Sequence, residues 1–297
     1  MFILEFFFSL IFIVSPLFAE DKCDKTKCPG PLRFYNEIKC KPIYKTPDEC
    51  CAVKYDCSHI EERFKSKKCY VNDNVYEIGE MLKEEDSLRC SFGCICLESF
   101  RGLMEFTCPI VDCFNLPPKP GCYREISPDK CCPGAEICPR NPVTCLVDGK
   151  TLKEGDSFQP KNKTDFICFC KPGYKGENVK PFCYDLEEKS CGIELHNNYE
   201  LKEKCAPIYR YQEHPQISCN SFFRCPDAND KLISRSTEVE NPSNDKSDTC
   251  VFGKIVMKIG DELNPKTDEM RRCIKCKCEV PPTPTCQEIS NKPCDVS

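Results

Sequence analysis

Thirty cysteines stand among 297 residues, and a thiol can ligate a metal, attack an electrophile or close a disulfide. The spacing Cys273-x2-Cys276-x-Cys278 would suit a tetrahedral zinc site. The compartment decides against it. Residues Phe6 to Phe18 are almost all apolar and are followed by the small Ala19, the pattern of a signal peptide cleaved after Ala19. That route leads into an oxidising space where cysteines pair. All 30 cysteines lie beyond Ala19, and the even count allows 15 disulfides with no thiol left over. No metal and no cofactor is therefore expected. The three histidines, His59, His196 and His214, lie far apart and share no metal-ligand spacing. Serines and aspartates are plentiful, but no strand–turn–helix context frames a nucleophile with its base, so the chain reads as a non-enzyme. Asn162-Lys163-Thr164 is a glycosylation sequon in a polar stretch, which makes Asn162 an expected glycan site.

The elements that carry these cysteines are small. There is no tryptophan, proline is abundant, and 30% of residues are charged. Such a chain builds no single large core and leans on cross-links. The expected fold is small and disulfide-rich, mainly β hairpins and irregular loops in tandem modules. The net charge of −5 favours neither nucleic acid nor an anionic membrane as partner. No later stretch is long and apolar enough for a membrane span once the signal is removed.

Two kinds of segment repeat. In the first, a cysteine is followed ten residues later by a glycine and then an acid: Cys69 to Gly79-Glu80, Cys145 to Gly155-Asp156, Cys250 to Gly260-Asp261. Bulky residues flank each glycine three positions away: Tyr76 and Leu82, Leu152 and Phe158, Met257 and Leu263. Turn formers such as Asn72 to Asn74 and Asp148-Gly149 predict hairpins. The second kind is proline-rich, with cysteines at 28, 40, 50–51 and 57, at 113, 122, 131–132 and 138, and at 191, 205, 219 and 225. The organisation read from these repeats is a signal peptide over 1–19, a C-terminal half-module over 23–57 and a full module over 69–138. An eight-cysteine module over 145–225 follows, then a cysteine-free flexible linker over 226–249 and an N-terminal half-module over 250–294.

The ten-cysteine order from Cys69 to Cys138 resembles the von Willebrand factor type C module, repeated in chordin- and kielin-like proteins. The tryptophan usual after the glycine is replaced by Leu82, Phe158 or Leu263. The module over 145–225 lacks the counterparts of Cys90 and Cys131 together, and their joint loss predicts that the two normally bond. The pairing the resemblance implies agrees and adds Cys69–Cys96, Cys94–Cys108, Cys113–Cys132 and Cys122–Cys138. It gives Cys145–Cys170, Cys168–Cys183, Cys191–Cys219 and Cys205–Cys225 in the next module. In the halves it gives Cys28–Cys51, Cys40–Cys57, Cys250–Cys278 and Cys276–Cys286, and the cysteines left over pair within their own half as Cys23–Cys50 and Cys273–Cys294. The resemblance implies a secreted, extracellular binding protein that modulates a growth factor of the bone morphogenetic protein or TGF-β class or binds a matrix protein, with contacts around Tyr76 to Leu82. A secreted defence or venom-type component and a protease inhibitor are the competing readings. The half over 250–294 supplies the hairpin that 23–57 lacks, so a head-to-tail contact between them is a further expectation.

Overall fold

The computed structural model describes residues 23–113, 116–125, 127, 130–161, 166–185, 190–211, 213–233, 248–268, 270–290 and 292–294. The expected signal segment with Ala19 and the sequon at Asn162 lie outside them. The molecule is a series of short antiparallel hairpins with a few short helices and three separate small cores. Fifteen disulfides cross-link it, and among the described residues no cysteine is free.

Each repeat opens with a two-stranded hairpin: Cys69–Val71 with Asn74–Tyr76, Thr144–Val147 with Lys150–Lys153, and Thr249–Phe252 with Ile255–Lys258. Asn72 and Asp73 both take positive φ, as do Asp148 and Gly149. That is the backbone demanded by the tightest two-residue hairpin turns, and Asn, Asp and Gly adopt it at least cost. The bulky residue three before each glycine turns inward, so Tyr76 and Met257 are fully buried.

The largest sheet has seven strands, six of them in the order Phe222–Arg224, Ala206–Tyr209, Thr285–Ser290, Cys273–Lys277, Glu262–Leu263, Leu232–Ile233. Lys266–Thr267 pairs with Cys273–Lys277 at the side. Ala206–Tyr209 runs parallel to Thr285–Ser290. The segment over 191–225 thus shares its core with 250–294: Ala206 and Ile208 pack with Phe252, Met257, Leu263 and Ile274. The eight-cysteine segment expected over 145–225 does not bury its proline-rich half on itself alone. Its proline-rich half takes core partners far along the chain, because that is where complementary apolar faces lie.

The edges of the segment over 226–249 take part in the fold. Leu232–Ile233 is a strand of the large sheet, and Arg224 and Asp230 form a fully buried ion pair. Further hydrogen bonds offset part of the cost of burying such a pair, although the buried Arg224 Nε has no partner. Arg224 also donates to the carbonyl of Asn264 at 3.0 Å. Thr249 belongs to the last hairpin, and residues 234–247 lie outside the described set.

Four helices hold the first segment in place: α1 (Leu32–Glu37), α2 (Ser58–Lys65), α3 (Ile193–His196) and α4 (Asn198–Lys202). Phe34, Tyr35 and Ile38 of the α1 region pack with Ile60, Ile193 and Val280. Tyr35 is fully buried, donates its hydroxyl to the Val280 carbonyl at 2.6 Å and accepts from the Thr283 N–H at 2.9 Å. The Tyr55 N–H donates to the Pro281 carbonyl at 2.9 Å, and Lys54 pairs with Asp248 at 3.0 Å. Gly30 has φ +87°, and a Cβ there would lie 2.9 Å from Val280 Cβ, so only glycine allows this approach. Residues 23–57 and 248–294 therefore meet within one chain.

Candidate binding surface

The Gly-acid pair common to the three hairpins is a backbone lock. In each, the N–H three residues before the acid donates to its carboxylate: Glu77 to Glu80 at 2.9 Å, Lys153 to Asp156 at 2.8 Å, Lys258 to Asp261 at 2.8 Å. Each glycine N–H donates to a cysteine carbonyl at 2.8 Å: Gly79 to Cys96, Gly155 to Cys170, Gly260 to Cys278. The glycine carries positive φ in all three. The motif serves to turn the chain off the hairpin and along the next strand.

The first hairpin is locked further from below. Asp86 is buried and accepts from Asn72 Nδ2 at 3.1 Å, from Asn74 Nδ2 at 2.8 Å and from the Tyr76 hydroxyl. Burial, and next the hydrogen bond to Asp86, push the Tyr76 phenol up to about 12. Leu82, Cys94, Cys96 and Phe106 complete this core, and Leu195 of α3 enters it. Tyr76 and Leu82, the ends of the segment named from sequence as a contact region, thus serve as core.

What faces outward is a different set. Met81 pairs with Ile95, and Leu97 lies two residues further along the same strand. Alternate residues share a face, so Met81, Ile95 and Leu97 lie opposite the buried Cys94 and Cys96. Met81 is 60% and Ile78 53% exposed, and Val75 and Leu97 are exposed as well. Glu77, Glu80 and Glu98 are exposed at the margin. The equivalent cross-strand pair is Ser157–Phe169 in the second repeat and Glu262–Lys277 in the last. One framework thus carries an apolar face in the first repeat and a charged pair in the last. Inward–outward alternation was readable in the sequence. Which alternate set would be covered was not, because that depends on what docks over the hairpin.

The structure joins every cysteine pair named above, from Cys23–Cys50 to Cys276–Cys286. Cys273, Cys276 and Cys278 go to three different bridges, with Cys294, Cys286 and Cys250. The histidines stay separate. His59 Nε2 meets the Ile38 carbonyl at 2.9 Å, and His196 Nε2 meets Ser91 Oγ at 2.8 Å. Burial lowers the His196 pKa. The His214 carbonyl accepts from Ile217 and Ser218.

No protein-family model matches the chain, and no solved structure matches it. Heavy disulfide bonding is compatible with an extracellular protein. Among the described residues, no helix is long and apolar enough to cross a membrane.

Proposed function

We propose that the chain is a secreted, extracellular, non-enzymatic binding protein. It engages a growth factor of the bone morphogenetic protein or TGF-β class, or a matrix protein, through the outer face of residues 75–97. The observation that carries this reading is the exposed row Ile78, Met81 and Leu97 on a frame made rigid by Cys69–Cys96, Cys94–Cys108 and Cys90–Cys131. Exposed apolar side chains rimmed by acids suit an apolar partner surface bordered by basic residues. A rigid frame loses little entropy on binding. The module resemblance supplies the ligand class.

The test is surface plasmon resonance of the purified secreted protein over immobilised growth-factor dimers and matrix proteins. Ile78→Asp with Met81→Asp is expected to cost about 2 kcal/mol or more, roughly thirtyfold in Kd. Val256→Asp with Ile259→Asp, at the sites of the last hairpin that match Val75 and Ile78, is expected to leave binding unchanged. Equal binding by wild type and the Ile78/Met81 variant would remove the assignment of the face. Absence of binding across the panel would remove the ligand class.

A further inference from the structure

The segment Arg63-Phe64-Lys65-Ser66-Lys67-Lys68 joins α2 to the first hairpin and forms one wall of a cavity of about 180 Å³. That is below the ~300 Å³ typical of whole small-molecule sites. Leu103, Met104 and Leu201 supply apolar walls. Lys65, Lys67 and Lys68 are all exposed. Arg101 is exposed beside the wall residue Gly102 and lies over the Tyr199 ring, 3.8 Å from its centroid. Two carboxylates line the cavity, Glu98 and Glu194. Glu194 is buried and already taken by Arg63 and by the Asn72 N–H at 2.9 Å. Lys68 pairs with Glu77 at 2.6 Å, but both side chains are solvent-exposed, and such a pair is weak enough to exchange partners.

The basic run is bolted at both ends. Cys57 bonds to Cys40 just before α2, and Cys69 bonds to Cys96 just after Lys68. Cations held in a fixed row beside an apolar trough match a polymer with regularly spaced anions and flat carbon faces. We infer that this rim binds a sulfated polysaccharide chain of the heparan sulfate type. The chain's sulfates contact Lys65, Lys67, Lys68 and Arg101, and its rings lie over Met104 and Leu201. The whole protein carries a net charge of −5, so retention on a polyanion would report a local basic patch and not the overall charge.

The experiment is chromatography of the full secreted protein on immobilised heparin. Wild type is expected to be retained at roughly 0.15 M ionic strength and to elute as salt rises, since each neutralised anion releases counterions. The triple variant Lys65→Gln, Lys67→Gln, Lys68→Gln is expected to flow through. The control Lys150→Gln, Lys153→Gln, Lys175→Gln should elute with wild type, although its net charge is the same as the first variant's. Free heparan sulfate should displace the protein, and unsulfated hyaluronan should not. Flow-through of wild type, equal loss in the control triple, or displacement by hyaluronan would each overturn the inference. Intact mass and circular dichroism establish that both variants fold. The Lys65/Lys67/Lys68 variant is expected to keep wild-type protein-ligand binding through the face at 75–97, which separates the two surfaces.

Discussion

Residues 23–57 and 113–138 carry the same cross-links, Cys28–Cys51 with Cys40–Cys57 and Cys113–Cys132 with Cys122–Cys138, and are otherwise held in opposite ways. The first copy contains α1 and buries Leu32, Phe34, Tyr35 and Ile38. Among its described residues the second has no helix, and none of them is buried. The cause is local. Leu32 to Glu37 can run as a helix with an apolar side, whereas Leu116-Pro117-Pro118-Lys119-Pro120 loses three of its five backbone donors to proline and cannot. The second copy touches its neighbour at Tyr123, whose hydroxyl donates to Glu154 at 3.0 Å, and at Glu125, which pairs with Lys171 at 3.0 Å. A cysteine pattern specifies which points of the chain are tied. It does not specify whether a core forms around them.

The comparison can be broken most directly at its tyrosines. Tyr35→Ala empties a buried site stacked on Tyr55 and should cost about 3–5 kcal/mol, as for a large aromatic in a core. Tyr123→Ala should cost about 1 kcal/mol, the central tendency for point changes. Urea unfolding with the disulfides intact measures both, and equal losses would show that the two copies are held alike.

Removing one bridge from each copy sharpens the contrast. Loss of a disulfide costs roughly 2–4 kcal/mol. With Cys122→Ser and Cys138→Ser, residues 122–138 keep the bridges at Cys131 and Cys132 and the short pairing of Tyr123–Arg124 with Glu136–Ile137, but no buried side chain among the described residues holds them, so limited proteolysis should cut there. With Cys40→Ala and Cys57→Ala, α1 stays docked under Val280 and the segment should resist. Cleavage of both variants at the same rate would contradict the packing account.

The smallest effect concerns pH. Burial, and next the hydrogen bond to Glu154, push the Tyr123 phenol up to about 12; burial pushes Tyr35 higher still. An unfolded tyrosine ionises near pH 10. Below that pH both states keep the proton and the contribution is complete. Between about pH 10 and 12 only the unfolded chain releases it, so stability falls as pH rises. Glu154→Gln should lower the Tyr123 value and leave Tyr35 unmoved in an absorbance titration of the phenols. A Tyr123 that ionises before and after at the same pH would remove Glu154 from the account.

The hairpins were legible in the sequence because their signals are local. Asn72-Asp73 and Asp148-Gly149 dictate turns, and Tyr76 and Met257 alternate with exposed neighbours on short strands. The pairing of Cys90 with Cys131 followed from parity, since an oxidising route leaves no place for one unpaired thiol. The place of Met81 was not legible. It sits two residues past a glycine in every repeat, yet its counterparts are Ser157 and Glu262, and only the docked strands show which face stays open. The buried pair Arg224–Asp230 was missed for a related reason. Two charges six residues apart in a polar stretch read as solvated surface until Leu232–Ile233 is seen pairing with Glu262–Leu263.

The sequence alone determined the cross-linked character of the molecule, its hairpin repeats and its lack of one large core. Those features depend on composition, spacing and turn chemistry, which act within a few residues or through cysteine count. Tertiary structure alone decided which halves complete each other: 191–225 with 250–294 in one sheet, and Tyr35 of the first half under Val280 of the last. Apolar burial is non-directional. A half-module will satisfy its exposed side on any matching surface, and the folded chain decides which surface comes within reach.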